Sequence, residues 1–207
     1  DTSLYGGQVG VDKKITDKLI LGASLSFSDA EADFDRYAGK SESQNLGLSI
    51  YGRYGMKNDS LYVMGRMGTG FVSSDVKREI VLPGLTEKVS IDHDDYVLSG
   101  YGEVGYKLKT SPNTSITPFA GLVYDAVRRG EFSEEGSTLG LHADEEYYQQ
   151  FSGLLGVRAE AGFDWAAGRS TVMGYVTWQG AFNDEDLDFE ASYTGMRDQK
   201  FTVKGIG

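Results

Sequence analysis

Leu19 to Ser28 reads LILGASLSFS, and the alternation in it decides the fold. In an extended chain Leu19, Leu21, Ala23, Leu25 and Phe27 fall on one face, and Gly22, Ser24, Ser26 and Ser28 fall on the other. A period of two, with one apolar face and one small polar face, is the signature of a strand. Working outward, Tyr5, Gly7, Val9 and Val11 oppose Gln8, Gly10 and Asp12, and Leu46, Leu48, Ile50, Gly52 and Tyr54 keep the same spacing. Further on, Tyr96, Leu98, Gly100, Gly102, Val104 and Tyr106 oppose Ser99, Tyr101, Glu103 and Lys107. Phe151, Gly153, Leu155, Val157, Ala159, Ala161 and Phe163 oppose Ser152, Arg158 and Glu160. Leu61 to Phe71, Ile116 to Ala126 and Thr171 to Gly180 alternate less cleanly, and with them the count is eight strands.

Composition agrees. The 207 residues show no break that would divide them, so a single domain is expected. Twenty-eight glycines, only 3 prolines and 12% aromatics suit strands packed closely in a wall. The absence of cysteine excludes a disulfide framework and a cysteine-ligated zinc site. A net charge of −11 without a basic stripe excludes a simple nucleic-acid binder. No stretch approaches the roughly 18 apolar residues that a membrane helix needs. Strands of a membrane barrel escape that test, because only alternate residues meet lipid.

The connections alternate in length along the chain. Short turns are expected at Lys13 to Lys18, Met56 to Ser60, Lys109 to Asn113 and Ala166 to Arg169, and long loops at Asp29 to Gln44, Val72 to Asp95, Val127 to Glu146 and after Phe182. Short turns on one rim and long loops on the other are the asymmetry of outer-membrane barrels, whose loops face outside. Taken as residues 28–45, 72–95, 126–146 and 182–207, the long segments hold 23 of the 31 acidic residues and 10 of the 20 basic ones. Their solvated acidic character marks one rim. Aromatic side chains on the apolar face gather at both strand ends, with Tyr5, Phe27, Phe71, Tyr96 and Phe151 toward the long loops and Tyr54, Tyr106, Phe163 and Trp165 toward the short turns. Two such girdles are expected where a barrel crosses the two membrane interfaces. On the opposite face Arg53, Arg66, Glu103, Arg158 and Glu160 are expected to point into the lumen.

If the long loops are outside, the first strand runs inward, and both visible ends lie on the outer side. Bacterial barrels keep their termini in the periplasm, so parity predicts a strand before the first residue and an odd number after the last.

The order of segments then carries a resemblance. TPFAGLVYDAVRRGEFSEEGSTLGLHADEEYYQQFSGLLGVRAEAGFDW from Thr117, VTWQGAFNDEDLDFEASYTGMRDQKFTVKG from Val176, and LYGGQVGVDKKITDKLILGASLSFSDAEADF from Leu4 resemble the autotransporter β-domain family. The resemblance covers essentially the whole chain, residues 1–207, read as a β-domain incomplete at both ends. It implies an all-β fold, a transmembrane antiparallel meander β-barrel of twelve strands, of which this chain would supply strands two to nine. It also implies a location in the outer membrane of a Gram-negative bacterium and export of an upstream passenger by type V secretion. The implied partners are outer-membrane lipid and lipopolysaccharide, the barrel-assembly machinery, the passenger, and a plug helix that the five lumen residues could contact. Nucleic acid is not among them, and no cofactor or metal is implied.

Several apparent motifs carry no chemistry. GYGEVG, from Gly100 to Gly105, satisfies a dinucleotide fingerprint, but it sits inside an alternating strand and opens no helix. His93 and His142 lie in acidic segments without paired ligand spacing and are expected to be solvated. No serine sits in G-x-S-x-G, so no catalytic residue is expected and the chain is read as a non-enzyme. Two rivals share the strand pattern: an adhesin or porin-like barrel binding a surface partner through its acidic loops, and a soluble lipocalin-type barrel whose apolar face would turn inward.

Overall fold

A computed structural model describes residues 2–34, 39–57, 60–165, 168–183 and 189–203. Every regular element among them is a strand: β1 (Thr2–Lys14), β2 (Leu19–Phe34), β3 (Gly39–Met56), β4 (Leu61–Leu82), β5 (Leu85–Tyr106), β6 (Leu108–Lys109), β7 (Thr114–Arg129), β8 (Phe132–Ser133), β9 (Leu141–Ala143), β10 (Glu146–Trp165), β11 (Gly168–Ala181), β12 (Phe189–Tyr193) and β13 (Met196–Val203). The eight long strands form one antiparallel meander in the order β1-β2-β3-β4-β5-β7-β10-β11, with β6 continuing the line of β5 along β7. The sheet curls like part of a barrel wall. Lengths of 13 to 22 residues exceed the roughly 9 to 11 that cross a bilayer at a tilt.

Burial is the inverse of that in a water-soluble domain. On the convex face Val9 is 71% exposed, Ile50 60%, Leu155 58% and Val176 79%. Covered positions on the other face include Ser24, Ser49, Ser115, Thr117, Ser152 and Glu103, together with Tyr62, Phe119 and Leu154. Water would tolerate no apolar band of that extent, whereas hydrocarbon requires one. The inward apolar face of a lipocalin-type barrel is therefore not what this chain builds. The polar face is concave, because Arg158 on β10 reaches Tyr62 on β4 across β7 and β5.

Two of the expected long loops are not loops. From Val72↔Asp95 to Leu82↔Leu85 the pairing of β4 and β5 is unbroken, and it closes at Pro83 and Gly84, the latter at φ +82°. Proline followed by a left-handed glycine is the residue pair a tight type II turn requires. From Asp29↔Gln44 the pairing of β2 and β3 likewise runs on to Phe34↔Gly39. Charge suggested solvated loops, but the charged side chains of an emergent hairpin remain in water while Val76, Ile80, Val81, Val89 and Ile91 keep it extended.

The other two long segments fold together. β8, β9, β12 and β13 make a second antiparallel sheet in the order β13-β12-β9-β8. Ser90 and Glu135 exchange backbone hydrogen bonds of 3.2 and 2.9 Å, which ties this sheet to β5. Arg78 on β4 donates two bonds to the Glu134 carboxylate, at 2.7 and 2.6 Å, and that carboxylate also accepts from Leu141 N at 2.7 Å. Glu134 is buried, so the fork is a charge-assisted clasp in a largely dry place. The small sheet thus packs on the concave side of the β4–β5 hairpin, at the long-loop end.

Candidate functional site

The concave face carries a network built from five strands of the wall, β3, β4, β5, β7 and β10. Glu103 on β5 has a fully enclosed side chain, and both its oxygens are taken by hydroxyls, one from Tyr62 and one from Tyr101. Arg158 approaches the same carboxylate at 3.4 Å on each side and donates to Tyr62 Oη at 3.0 Å. Its guanidinium lies 4.9 Å from the Phe119 ring centroid, and that of Arg53 lies 4.8 Å from the Tyr62 ring. A buried carboxylate held by two phenols and a stacked guanidinium is satisfied without water. Nearer the short-turn rim, Glu160 accepts from Lys107 and from Ser115 Oγ at 3.2 Å.

Glycines make room for these rings. A Cβ on Gly105 would meet the Tyr62 ring at 2.4 Å, and one on Gly156 would meet Phe119 Cζ at the same distance. Each ring lies flat over a neighbouring strand because that strand has no side chain there. Toward the long-loop end the face is lined with smaller groups, where Gln8 Nε2 donates to Ser24 Oγ at 2.7 Å and Ser24 and Ser49 share a 2.7 Å bond.

All five charged residues expected on this face lie on it. Arg53, Glu103, Arg158 and Glu160 enter the contacts above, and Arg66 borders a recess with Tyr51, Tyr101 and Asp125. The sequence reading missed Tyr62, Lys107 and Phe119 as members. In Leu61 to Phe71 methionine stands on both faces, at Met64 and Met67, which blurred the alternation that would have shown Tyr62 pointing inward.

The convex face is ordered in cross-strand rows. Phe27, Leu46, Phe71 and Tyr96 are successive partners across β2, β3, β4 and β5 and form an apolar row, with Phe71 and Tyr96 edge to face at 5.4 Å. The next row on the same face is Tyr5, Asp29, Gln44, Ser73 and Asp94, where Gln44 Nε2 donates to Asp29 Oδ2 at 3.2 Å. The row beyond is Ser3, Glu31, Glu42, Asp75 and Asp92. Lys40 answers Glu31 at 2.8 Å and Glu42 at 2.5 Å, and Lys77 answers Asp75 at 3.0 Å. Chemistry therefore changes from apolar to hydrogen-bonding to acidic over three consecutive rows.

Phe151 lies exposed on the same face at the long-loop end, and Tyr54, Tyr106 and Phe163 lie exposed toward the short turns. The side chain of Trp165 falls outside the described residues. Tyr124 and Tyr147, not anticipated as girdle residues, share a 3.1 Å hydroxyl bond on this face.

The glycine-rich motif belongs to the wall itself, and its Tyr101, Glu103 and Gly105 serve the network above. Gly100 to Gly105 lies within β5. His93 and His142 are not solvated as expected: their side chains are 17% and 11% exposed. His93 stands 6.0 Å from the Phe132 ring and 3.5 Å from Asp95, and His142 stands 3.5 Å from Asp144. Covering by the small sheet, invisible in the local sequence, explains the difference. Among the described residues no three His, Asp or Glu side chains gather as a metal site.

Comparison with known proteins gives three findings. The model of the Autotransporter beta-domain family matches residues 1–207. "Outer membrane protein A" of Rickettsia conorii is 25% identical over 92% of this chain, and the "Serine protease SepA autotransporter" of Shigella flexneri is 26% identical over 95% of it. The chain spans only 10% and 14% of the lengths of those two relatives. Among solved structures, the translocator domain of autotransporter NalP from Neisseria meningitidis matches with a TM-score of 0.71 and 18% identity, over 97% of this chain and 66% of that one.

Proposed function

The chain belongs to the autotransporter β-domain family, and from that premise we propose how its two faces serve export of a passenger. It is an outer-membrane translocator domain of a Gram-negative bacterium. The observation that carries the reading is the inverted burial, with an apolar convex band and a satisfied polar concavity. In hydrocarbon every backbone group must be paired, and only a closed wall of strands does that while leaving a polar interior.

We read the eight wall strands as strands two to nine of a twelve-stranded barrel. Arg53, Arg66, Arg158 and Glu160 face the space where a plug helix or an extended passenger would lie, and their mixed charge suits transient contacts with either. Glu103 is too enclosed to touch a guest and instead holds Arg158 in place. The aromatic residues at the two strand ends seat the wall at the membrane interfaces, against lipid and lipopolysaccharide. Insertion through the barrel-assembly machinery follows from the same reading. The chain carries no catalytic chemistry in it; the protease activities named in relatives are theirs.

The test is surface display. In the full-length gene product with its own signal peptide, an epitope inserted upstream of Asp1 should reach the cell surface and be lost when this domain is deleted. A folded outer-membrane barrel with no upstream segment exposed would sink the translocator reading and favour an adhesin or porin-like role.

A further inference from the structure

We propose that the convex face of β1 to β4 holds a glycolipid of the outer leaflet, lipopolysaccharide, in a defined groove; this rests on the outer-membrane reading above. The groove has a volume of about 380 Å³ and is lined by Phe27, Leu46 and Phe71 below and by Tyr5, Asp29, Gln44 and Ser73 above. The lower side chains belong to the membrane-facing band and offer an acyl chain a bed of rings. The upper ones form the adjacent cross-strand row, so the polar groups stand one step toward the rim from the apolar ones.

That sequence of chemistry selects the occupant. An acyl chain on the rings brings its head to a carboxylate, an amide and a hydroxyl set side by side. These are acceptors and donors for sugar hydroxyls, and Tyr5 at the same level gives a ring for a sugar face. A phospholipid offers the same row few hydroxyls to bind. Hydrogen bonding thus favours a hydroxylated head, and a lipopolysaccharide places its acylated sugar at that level. Divalent cations in the medium screen a phosphate of either lipid from the acidic row of Glu31, Glu42, Asp75 and Asp92, so the row of hydroxyl partners is what separates the two.

The experiment uses the full-length protein folded in an ether detergent without sugar, at fixed magnesium. Native mass spectrometry measures retention of added lipopolysaccharide against phosphatidylglycerol. Wild-type protein should hold one lipopolysaccharide, and phosphatidylglycerol at equal concentration should not displace it. Asp29→Asn with Gln44→Ala and Ser73→Ala should weaken retention at least tenfold while mobility on unheated gels and passenger display stay unchanged. Equal retention by wild type and triple variant, or displacement by phosphatidylglycerol, would overturn the site and leave only unspecific annular lipid. Passenger display is scored separately, so failure of the groove is distinguishable from failure of the translocator reading. If the triple variant does not fold, dodecyl maltoside should still compete for lipopolysaccharide on wild type where a dodecyl polyoxyethylene ether does not. Equal competition by the two would overturn it as well.

Discussion

Replacing Arg158 by methionine should destabilise the folded wall by about 3 kcal/mol, because it strands the Glu103 carboxylate. Methionine keeps the apolar stem, so what is lost is the guanidinium, with its charge, its bonds to Glu103 and Tyr62 and its stacking on Phe119. Removing one partner of a buried ion pair costs roughly 3 to 5 kcal/mol. Tyr62 and Tyr101 continue to donate to Glu103, which places the expectation at the low end, roughly a hundredfold in the folding equilibrium. Glu103→Gln alone should cost about 1 kcal/mol, since Arg158 is partly exposed and can draw water. The double variant removes the stranded charge, and it should be more stable than Arg158→Met alone. Urea titration of the full-length protein folded in lipid, followed by tryptophan fluorescence, measures all four corners of the cycle. A loss below about 1 kcal/mol for Arg158→Met, or a double variant as unstable as the two single losses added together, refutes the argument that Glu103 needs its cation.

Three further outcomes follow from the same coordinates. Gly156→Val should cost about 3 kcal/mol or prevent folding, because the new side chain meets Phe119 Cζ at 2.4 Å and the rigid Val176 carbonyl at 2.8 Å. Gly102→Ala, with nothing within 4 Å, should be nearly neutral, and gel mobility without heating separates the two. Glu134→Gln should weaken the Arg78 clasp, so amide exchange over residues 130–143 rises while that of β2 and β3 stays slow. Lys200 donates to Asp144 at 2.8 Å and holds that carboxyl below its ordinary range. A depressed acid stabilises above its unfolded value, near about pH 4, and that contribution vanishes as pH falls through the lowered value. Protection of β12 and β13 should therefore fall on acidification in wild type and show a weaker pH dependence over that range in Lys200→Ala.

What could be read without coordinates was whatever repeats with period two. LILGASLSFS and the strand from Phe151 to Phe163 assign their own faces, and Arg53, Arg158 and Glu160 follow by counting. The extent of pairing was not readable, because β-propensity and charge disagree between Val72 and Asp95. There Val76 and Ile91 argue for a strand while Asp75, Lys77 and Asp92 argue for a loop, and the hairpin satisfies both by leaving the membrane and remaining paired. Nor was the second sheet readable, since β8 and β9 are only two and three residues long and take their meaning from β12, some fifty residues away.

The same limit explains why the chemistry of the concave face came as positions rather than as a network. Counting places Glu103 and Arg158 on one face, but their contact depends on curvature, which is set by what fills the concave side. Room on that side is made by pairs such as Gly105 with Tyr62 and Gly156 with Phe119, each split between strands. A glycine in one strand lets a ring from the next lie against the wall, and the ring then offers its hydroxyl or face to Arg158, Tyr62 from three strands away and Phe119 from the adjacent strand. Curvature and charge satisfaction are thus one device: if Gly156 gains a side chain, Phe119 is pushed from its seat and Arg158 loses the ring it stacks on. Gly156→Val should consequently disturb Glu103 as well as local packing, and combining it with Arg158→Met should cost less than the two losses taken separately. Full additivity in the same urea titration would show that the rings and the ion pair act independently, and would break the link drawn here between the glycine pattern and the buried carboxylate.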